Sequence, residues 1–306
     1  MRILLATDGS GHSEAAVDEI AHWHYLTDGE VRVISVVDPP NFPTTYPLGG
    51  VDMEFSDQME KHAREATEKA AAKLRAADES RKLNVTTKVL SGSPKGVILE
   101  EAEAFSAGLI VVGSHGHGAL ERFLLGSVSQ AVALHAKCSV EIVRRPEVKR
   151  DVRRVLLAID GSGHSEAAVD EIAHRYYPAD SEVRVISIVE PLMPLSARSL
   201  ADSAGYHGEL EKIERERASS AIEKAAARLR ESQEGGSIKI TTEVLSGSPK
   251  RVILEEAEAS GADLIVVGSH GHGMLESFLL GSVSQAVALH ARCSVEIVRS
   301  PKSGAK

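Results

Sequence analysis

Short, nearly unbroken apolar runs recur along the chain. Between them lie longer stretches in which apolar residues return every three or four positions. Arg2–Thr7, Val31–Val37, Val85–Leu90, Leu109–Val112 and Val140–Val143 are of the first kind. Their length and β-branched content predict strands, and the lack of polar alternation predicts a sheet buried on both faces. Val17, Ile20 and Ala21 lie at helical spacing, with Ser13 and Glu14 predicted to start that helix. Asp57–Ala77 is rich in Ala, Glu, Lys and Arg and predicts a long, exposed helix. Pro94 suits the first turn of a helix carrying Val97, Ile98 and Ala102, and Val128–Ala136 predicts another.

The pattern then repeats. Asp8–His22 reads DGSGHSEAAVDEIAH, and so does Asp160–His174. The offset is 152 residues there and at the second strand, and 155 from Leu90/Leu245 onward, so three residues are gained in between. A period this long is a whole domain rather than a solenoid unit. Domains are therefore expected at 1–146 and 152–300, joined by the charged, proline-containing stretch Arg145–Arg153 and followed by a disordered tail from Ser300. Strands alternating with helices predict the α/β class. Each domain should hold a five-stranded parallel sheet with helices on both faces. Ligands of such sheets lie at the carboxyl ends of the strands, where the strand order reverses. The loops after strands one and four carry the glycine and polar residues, which places the site between those strands. The chain diverges most after the second strand (Asp38–Gly50 against Glu190–Arg198), where loops can cover a ligand or simply vary.

Composition narrows the partners. A net charge of −9 argues against nucleic acid and anionic membranes, and an aromatic content of 4% leaves little for base stacking. No run approaches about 18 apolar residues, and the N-terminal run is too short for a signal peptide. The two cysteines, Cys138 and Cys293, occupy equivalent places and read as buried thiols rather than a disulfide framework. A cytoplasmic location is expected.

The chemistry sits in one stretch, Gly113–Ser129, which returns as Gly268–Ser284 with changes only at Met274 and Ser277. It reads as strand, glycine-rich loop, helix, an arrangement that suits an anion on a helix N-terminus. Gly113 is expected to keep the strand end open to a ligand, and Gly116 to take a positive φ. Ser127 is expected to cap the helix or bond a phosphate oxygen, with the N–H groups of Ser127, Val128 and Ser129 as further donors. Asp8 and Asp160 follow the first strand of each half. They read either as turn residues or as carboxylates for ribose hydroxyls or a phosphate-held metal.

The spacings Gly113-x2-Gly116-x9-Gly126-Ser127 and Gly268-x2-Gly271-x9-Gly281-Ser282 resemble those of the ATP-binding branch of the universal stress protein family. The resemblance covers nearly all of both halves, including the Asp after the first strand. It implies ATP, with or without Mg²⁺, between strands one and four of each domain. Ala6 and Asp8 would flank adenine and ribose, and Val36 would meet adenine through its backbone. Gly113, Ser114, His115, Gly116, His117 and Gly118 would line ribose and phosphates, with Gly126, Ser127, Val128 and Ser129 at the phosphate end. In the second half Ala158, Asp160 and Ile188 take the first roles. Gly268, Ser269, His270, Gly271, His272 and Gly273 take the next, and Gly281, Ser282, Val283 and Ser284 the last. Ile159 replaces Thr7, so any polar help from Thr7 is absent there, and Ser277 replaces Arg122. If Arg122 reaches phosphate, the first site binds more tightly; if it is a solvated charge, the sites are alike.

Other chemistries fit less well. A zinc site needs four converging ligands, which the spacing of His115, His117, His135 and Cys138 does not supply, so no metal site is assigned. His115-Gly-His117 is similar to the His-x-Gly-His of nucleotidyl transferases, but in a different order. No Walker A or Gly-x-Ser-x-Gly motif occurs, and no base is positioned to attack a γ-phosphate. The sequence thus points to a tandem protein that binds ATP as a stress-response or signalling switch. The alternative is a slow ATPase or nucleotidyl transferase. The identical last strands, Cys138–Val143 and Cys293–Val298, are expected to pair the halves and are available for a homodimer; the protein partner stays unidentified.

Overall fold

The computed structural model describes residues 1–23, 29–38, 51–77, 83–116, 125–144, 153–175, 177–178, 180–191, 199–232, 238–271 and 280–300. The expected linker up to residue 152, the tail beyond Ser300, and the divergent loops at 39–50 and 192–198 lie outside these residues. The chain divides into two compact units, Met1–Arg145 and Pro146–Lys306.

The first unit runs β1 (Arg2–Ala6), α1 (Gly11–Ala21), β2 (Glu30–Val37), α2 (Val51–Ala76), β3 (Asn84–Ser91), α3 (Pro94–Ala104), β4 (Leu109–Gly113), α4 (Ser127–His135) and β5 (Ser139–Val143). Its strands are ordered β3-β2-β1-β4-β5, all parallel. The second runs β6 (Arg154–Ala158), α5 (Gly163–Ala173), β7 (Glu182–Val189), α6 (Ser199–Ser232), β8 (Lys239–Ser246), α7 (Pro249–Ser260), β9 (Leu264–Gly268), α8 (Ser282–His290) and β10 (Ser294–Val298). Its order is β8-β7-β6-β9-β10, again all parallel. Five parallel strands per unit is the architecture expected from the apolar runs.

Alternate residues of each strand serve the two faces. Ile3 and Leu5 of β1, Val31 and Val33 of β2, and Leu109 and Val111 of β4 pack on Ala16, Val17 and Ile20 of α1 and on Ala70, Ala71 and Leu74 of α2. Burying each such Leu or Ile side chain contributes about 1.5–3 kcal/mol. α3 and α4 pack on each other, against β2 and β5 respectively. The second unit repeats this core with Val155, Leu157, Ile172, Val183, Val185, Ala225 and Leu229. Ala70 and Ala225 are 155 apart, so the three inserted residues lie upstream of Ala225, within the stretch that follows β7.

Two local expectations are corrected. α1 starts at Gly11, not near Ser13. Ser10 is its N-cap and accepts from the Ser13 N–H at 3.3 Å. The motif Ser10-Gly-His-Ser13 carries a serine at both ends, and the outer one wins because it precedes the first helical φ/ψ. Cys138 and Cys293 are half-buried rather than buried, and neither is in a disulfide. Among the described residues, no helix is long and apolar enough to cross a membrane.

Candidate functional site

In the first unit β2 and β4 flank β1 on opposite sides. The strand order therefore reverses between β1 and β4, and a crevice opens at their carboxyl ends. Three segments meet there.

The first is the turn after β1. Asp8 Oδ1 accepts the Ser10 N–H at 3.0 Å, so the carboxylate shapes its own turn. Gly9 has φ +79°, which the turn needs. Thr7 Oγ1 accepts from the Gly9 N–H at 3.2 Å and donates to Ser13 Oγ at 3.0 Å. The second segment is the loop leaving β4. A Cβ on Gly116 would lie 2.6 Å from Asp8 Oδ2, so this loop closes directly on the aspartate. The third is the start of α4, where a Cβ on Gly126 would lie 3.1 Å from the Ser114 carbonyl oxygen and 3.3 Å from His115 Cα. The Gly126 N–H donates to that carbonyl at 2.8 Å.

The two helix starts differ in a way that matters for a ligand. α1 is capped by Ser10. α4 has Gly126 at its N-cap and no side-chain cap. The first-turn N–H groups of Ser127, Val128 and Ser129 are those a helix cannot satisfy internally. They concentrate positive potential at the mouth of the crevice.

The second unit repeats the arrangement. Asp160 Oδ1 accepts the Ser162 N–H at 3.0 Å, and a Cβ on Gly271 would lie 2.5 Å from Asp160 Oδ2. Gly281 caps α8 without a side chain, and a Cβ there would lie 3.0 Å from the Ser269 carbonyl oxygen. One difference follows from Ile159. With no hydroxyl at that position, Ser162 Oγ donates to Asp160 Oδ1 at 2.6 Å, whereas Ser10 Oγ lies 3.4 Å from Ser13 Oγ.

The profile of the universal stress protein family matches residues 1–144 and 151–299. The chain belongs to the universal stress protein family. A universal stress protein of Mycolicibacterium smegmatis is 32% identical over 303 residues, covering 97% of this chain and 96% of that one. One from Mycobacterium tuberculosis strain H37Rv is 30% identical over 313 residues, with the same coverage. In fold, the chain resembles a universal stress protein from Archaeoglobus fulgidus. The TM-score is 0.62 and the identity 23%, over 97% of this chain and 98% of that one.

Within this universal stress protein, the expected residues fall into three groups. Asp8, Ser114, His115, Gly116, Gly126, Ser127, Val128 and Ser129 come together as described, as do Asp160, Ser269, His270, Gly271, Gly281, Ser282, Val283 and Ser284. Ala6 ends β1, Thr7 follows it, and Val36 lies half-buried near the carboxyl end of the adjacent β2; Ala158 and Ile188 are the counterparts of Ala6 and Val36. His117, Gly118, His272, Gly273, Arg122 and Ser277 lie outside the described residues.

Several assigned reasons change. Gly113 is required because a Cβ would strike the His12 and Ser13 backbone of α1 at 2.7–2.8 Å; Gly268 meets His164 and Ser165 in the same way. The helix start is by itself enough to dictate both glycines. Gly116 does not take a positive φ; its lack of a Cβ serves the approach to Asp8. Ser127 is the first helical residue and exposed, not the cap. Ser129 Oγ donates to the Gly113 carbonyl at 2.7 Å, which ties α4 to β4 and leaves Ser129 its backbone N–H for a ligand.

Histidine 12 was missed. Its ring lies 5.1 Å from that of His115, and the His164 and His270 rings are 5.2 Å apart. His115 Nδ1 is 3.1 Å from Ser114 Oγ. Burial, the His12 ring and Arg144 hold the His115 pKa below the usual histidine range. The available signal was that Gly-His-Ser recurs beside each aspartate, but only the fold shows that the helix start faces the glycine loop.

Proposed function

We propose that each half of this tandem universal stress protein binds one molecule of ATP in the crevice between β1 and β4, or between β6 and β9. The observation that carries the reading is the uncapped N-terminus of α4 opposite the contact between Gly116 and Asp8, repeated at α8, Gly271 and Asp160. An N-terminus with unmet N–H groups takes phosphate, and a carboxylate at a strand end takes ribose hydroxyls. The donor set suits a nucleotide: first-turn N–H groups of α4 on one side for phosphate, and the Asp8 carboxylate on the other for ribose hydroxyls.

In this reading Ser127, Val128 and Ser129 offer N–H groups to the terminal phosphates, and Ser282, Val283 and Ser284 do so in the second site. Gly116 and Gly271 let the loop lie along the ribose and phosphates, while Val36 and Ile188 face adenine through their backbone. Mg²⁺, when present, travels on the phosphates. The nucleotide acts as a switch: it orders the glycine loop and changes the surface shown to a protein partner in a stress response.

Equilibrium dialysis at millimolar ATP should find two equivalents per chain. Gly116→Val and Gly271→Val should each remove one, because the new side chain meets a carboxylate oxygen. Absence of bound ATP in the parent protein would overturn the reading. Turnover of ATP to product over many cycles would replace a holding function with an enzymatic one.

A further inference from the structure

We propose that His12 and His115 are anion-binding residues of the first site, and that a polyphosphate binds there together with a proton taken up by His115. The proposal rests on the reading of the crevice as a nucleotide site and adds its regulation by pH.

The argument is one of placement. His115 is buried, with 8% of its surface exposed, and its Nε2 has no hydrogen-bond partner among the described residues. A buried polar nitrogen left without a partner is costly and marks a place where something else binds. The ring sits where the three segments of the site meet. Its Cα is against Gly126 at the uncapped start of α4, and the next residue, Gly116, lies against Asp8. The groups that face it are the His12 ring from α1, Arg144 from beyond β5 and Ser114 from its own loop; Asp8 lies against the neighbouring Gly116.

His12 and Arg144 oppose a positive charge on the ring. His12 is the second residue of α1, so both rings stand near positive helix ends. Burial acts in the same direction. Without a ligand His115 is therefore neutral near pH 7. An entering polyphosphate reverses the balance, since an adjacent anion favours the charged imidazolium and supplies the acceptor that Nε2 lacks. The ligand and the proton then stabilise each other, and affinity rises as pH falls through the ligand-bound pKa. Each unit by which the ligand raises that pKa corresponds to about a tenfold gain in affinity.

The second site has the same pair but a weaker version of the device. His270 is half-buried, so water already solvates part of its ring. Proton linkage should be concentrated in the first site.

The test uses the full chain carrying Gly271→Val, so that only the first site reports. Calorimetric titration with ATP is run at pH 8.0, 7.25 and 6.5, in buffers of different ionisation enthalpy, for this protein and for the same protein with His115→Gln or His12→Asn. Titration of ATP itself is common to all and cancels. The expected result is more protons taken up than in the His115→Gln protein, and an affinity gain from pH 8.0 to 6.5 that exceeds that variant's by about five- to tenfold. His12→Asn should weaken binding by several-fold at pH 6.5. Equal proton counts and parallel pH profiles with ATP still bound would overturn the proposal. Failure to bind ATP at every pH would overturn the nucleotide reading and this one with it. Should His115→Gln misfold, the His115 ring proton resonance decides: its midpoint must rise on adding ATP, and an unmoved midpoint overturns the proposal.

Discussion

The two halves have the same glycine cradle but different supports beneath it. Trp23 closes the end of α1 in the first half, where its Nε1 donates to Glu19 at 3.1 Å. The same position in the second half is Arg175, which bonds Glu171 at 3.0 Å and the fully buried Glu296 at 2.6 Å. On the opposite side of the sheet, Glu101 of α3 accepts from Arg32 and Lys88 in the first half, at 2.7 and 2.6 Å. Its counterpart Glu256 shares Arg184 with Glu243, at 2.8 and 2.6 Å. Two bases and one acid have become one base and two acids. The lesson is that supports are exchanged as whole sets, each keeping opposite charges in contact, while Asp8-Gly-Ser-Gly-His and its copy stay letter for letter the same. Packing has several solutions at these positions, and the crevice has been given one.

The deepest contrast is Trp23 against Arg175. The Arg175 and Glu296 side chains are 4% and 0% exposed, so neither charge is screened by water. Burial pushes the Glu296 carboxyl above the usual carboxylate range, against the pull of Arg175. Arg175→Leu removes that pull and should cost about 3–5 kcal/mol at pH 8 in denaturant unfolding. The penalty should shrink as pH falls, because the stranded carboxyl can then take a proton. Arg175→Met with Glu296→Leu should recover most of the loss, since apolar packing replaces buried ion pairs at little cost. Trp23→Leu opens a cavity instead and should cost about 2–4 kcal/mol with no pH dependence of this kind. Equal pH profiles for the two single variants would show that the halves are closed by the same physics after all.

What could be read from the chain follows the same division. The strands were legible because LIVVG, at Leu109–Gly113 and Leu264–Gly268, is buried on both sides and has no room for polar alternation. The cradle was legible because glycine is a letter with a narrow meaning. The reasons for individual glycines were not: Gly113 makes way for the backbone of α1, a neighbour about a hundred residues upstream. His12 went unnoticed for the same cause, since a helix start does not announce what it faces. Nor could the triads be seen, because Arg32, Lys88 and Glu101 come from three separate elements.

The triads offer a middle-sized test. In the first half burial lifts the Glu101 pKa, but the hydrogen bonds from Lys88 and Arg32 outweigh it, and the carboxyl sits below its usual range. Its contribution is therefore present above the unfolded pKa of about 4.5 and is lost as pH falls through the lowered folded value. Arg184→Met tests the second set: it leaves Glu243 and Glu256 beside each other without the cation they share, and should cost about 1–2 kcal/mol at pH 7 in denaturant unfolding. The exchanges Lys88→Glu and Glu243→Lys each build the other half's triad and should stay within about 0.5–1 kcal/mol of the parent. A large loss from either exchange would mean that the sets are matched to their surroundings beyond charge.

The smallest contrast is at the end of α3 and α7. Both helices close in the same way: the Ala107 N–H donates to the Ala102 carbonyl and the Ala262 N–H to the Ala257 carbonyl, each at 2.8 Å. This closure puts one residue in the left-handed region, Ser106 at φ 53° in the first half and Gly261 at φ 61° in the second. Glycine takes that conformation without a Cβ clash, whereas serine is strained there. Ser106 is exposed, so its side chain gives up little packing when removed. Ser106→Gly should therefore raise stability, by about 0.5–1 kcal/mol less the entropy a glycine adds to the unfolded chain. Gly261→Ser should lower it by a similar amount. Denaturant midpoints of the two variants should move in opposite directions, and a Ser106→Gly midpoint at or below the parent's would show that the serine end of α3 holds no strain to relieve.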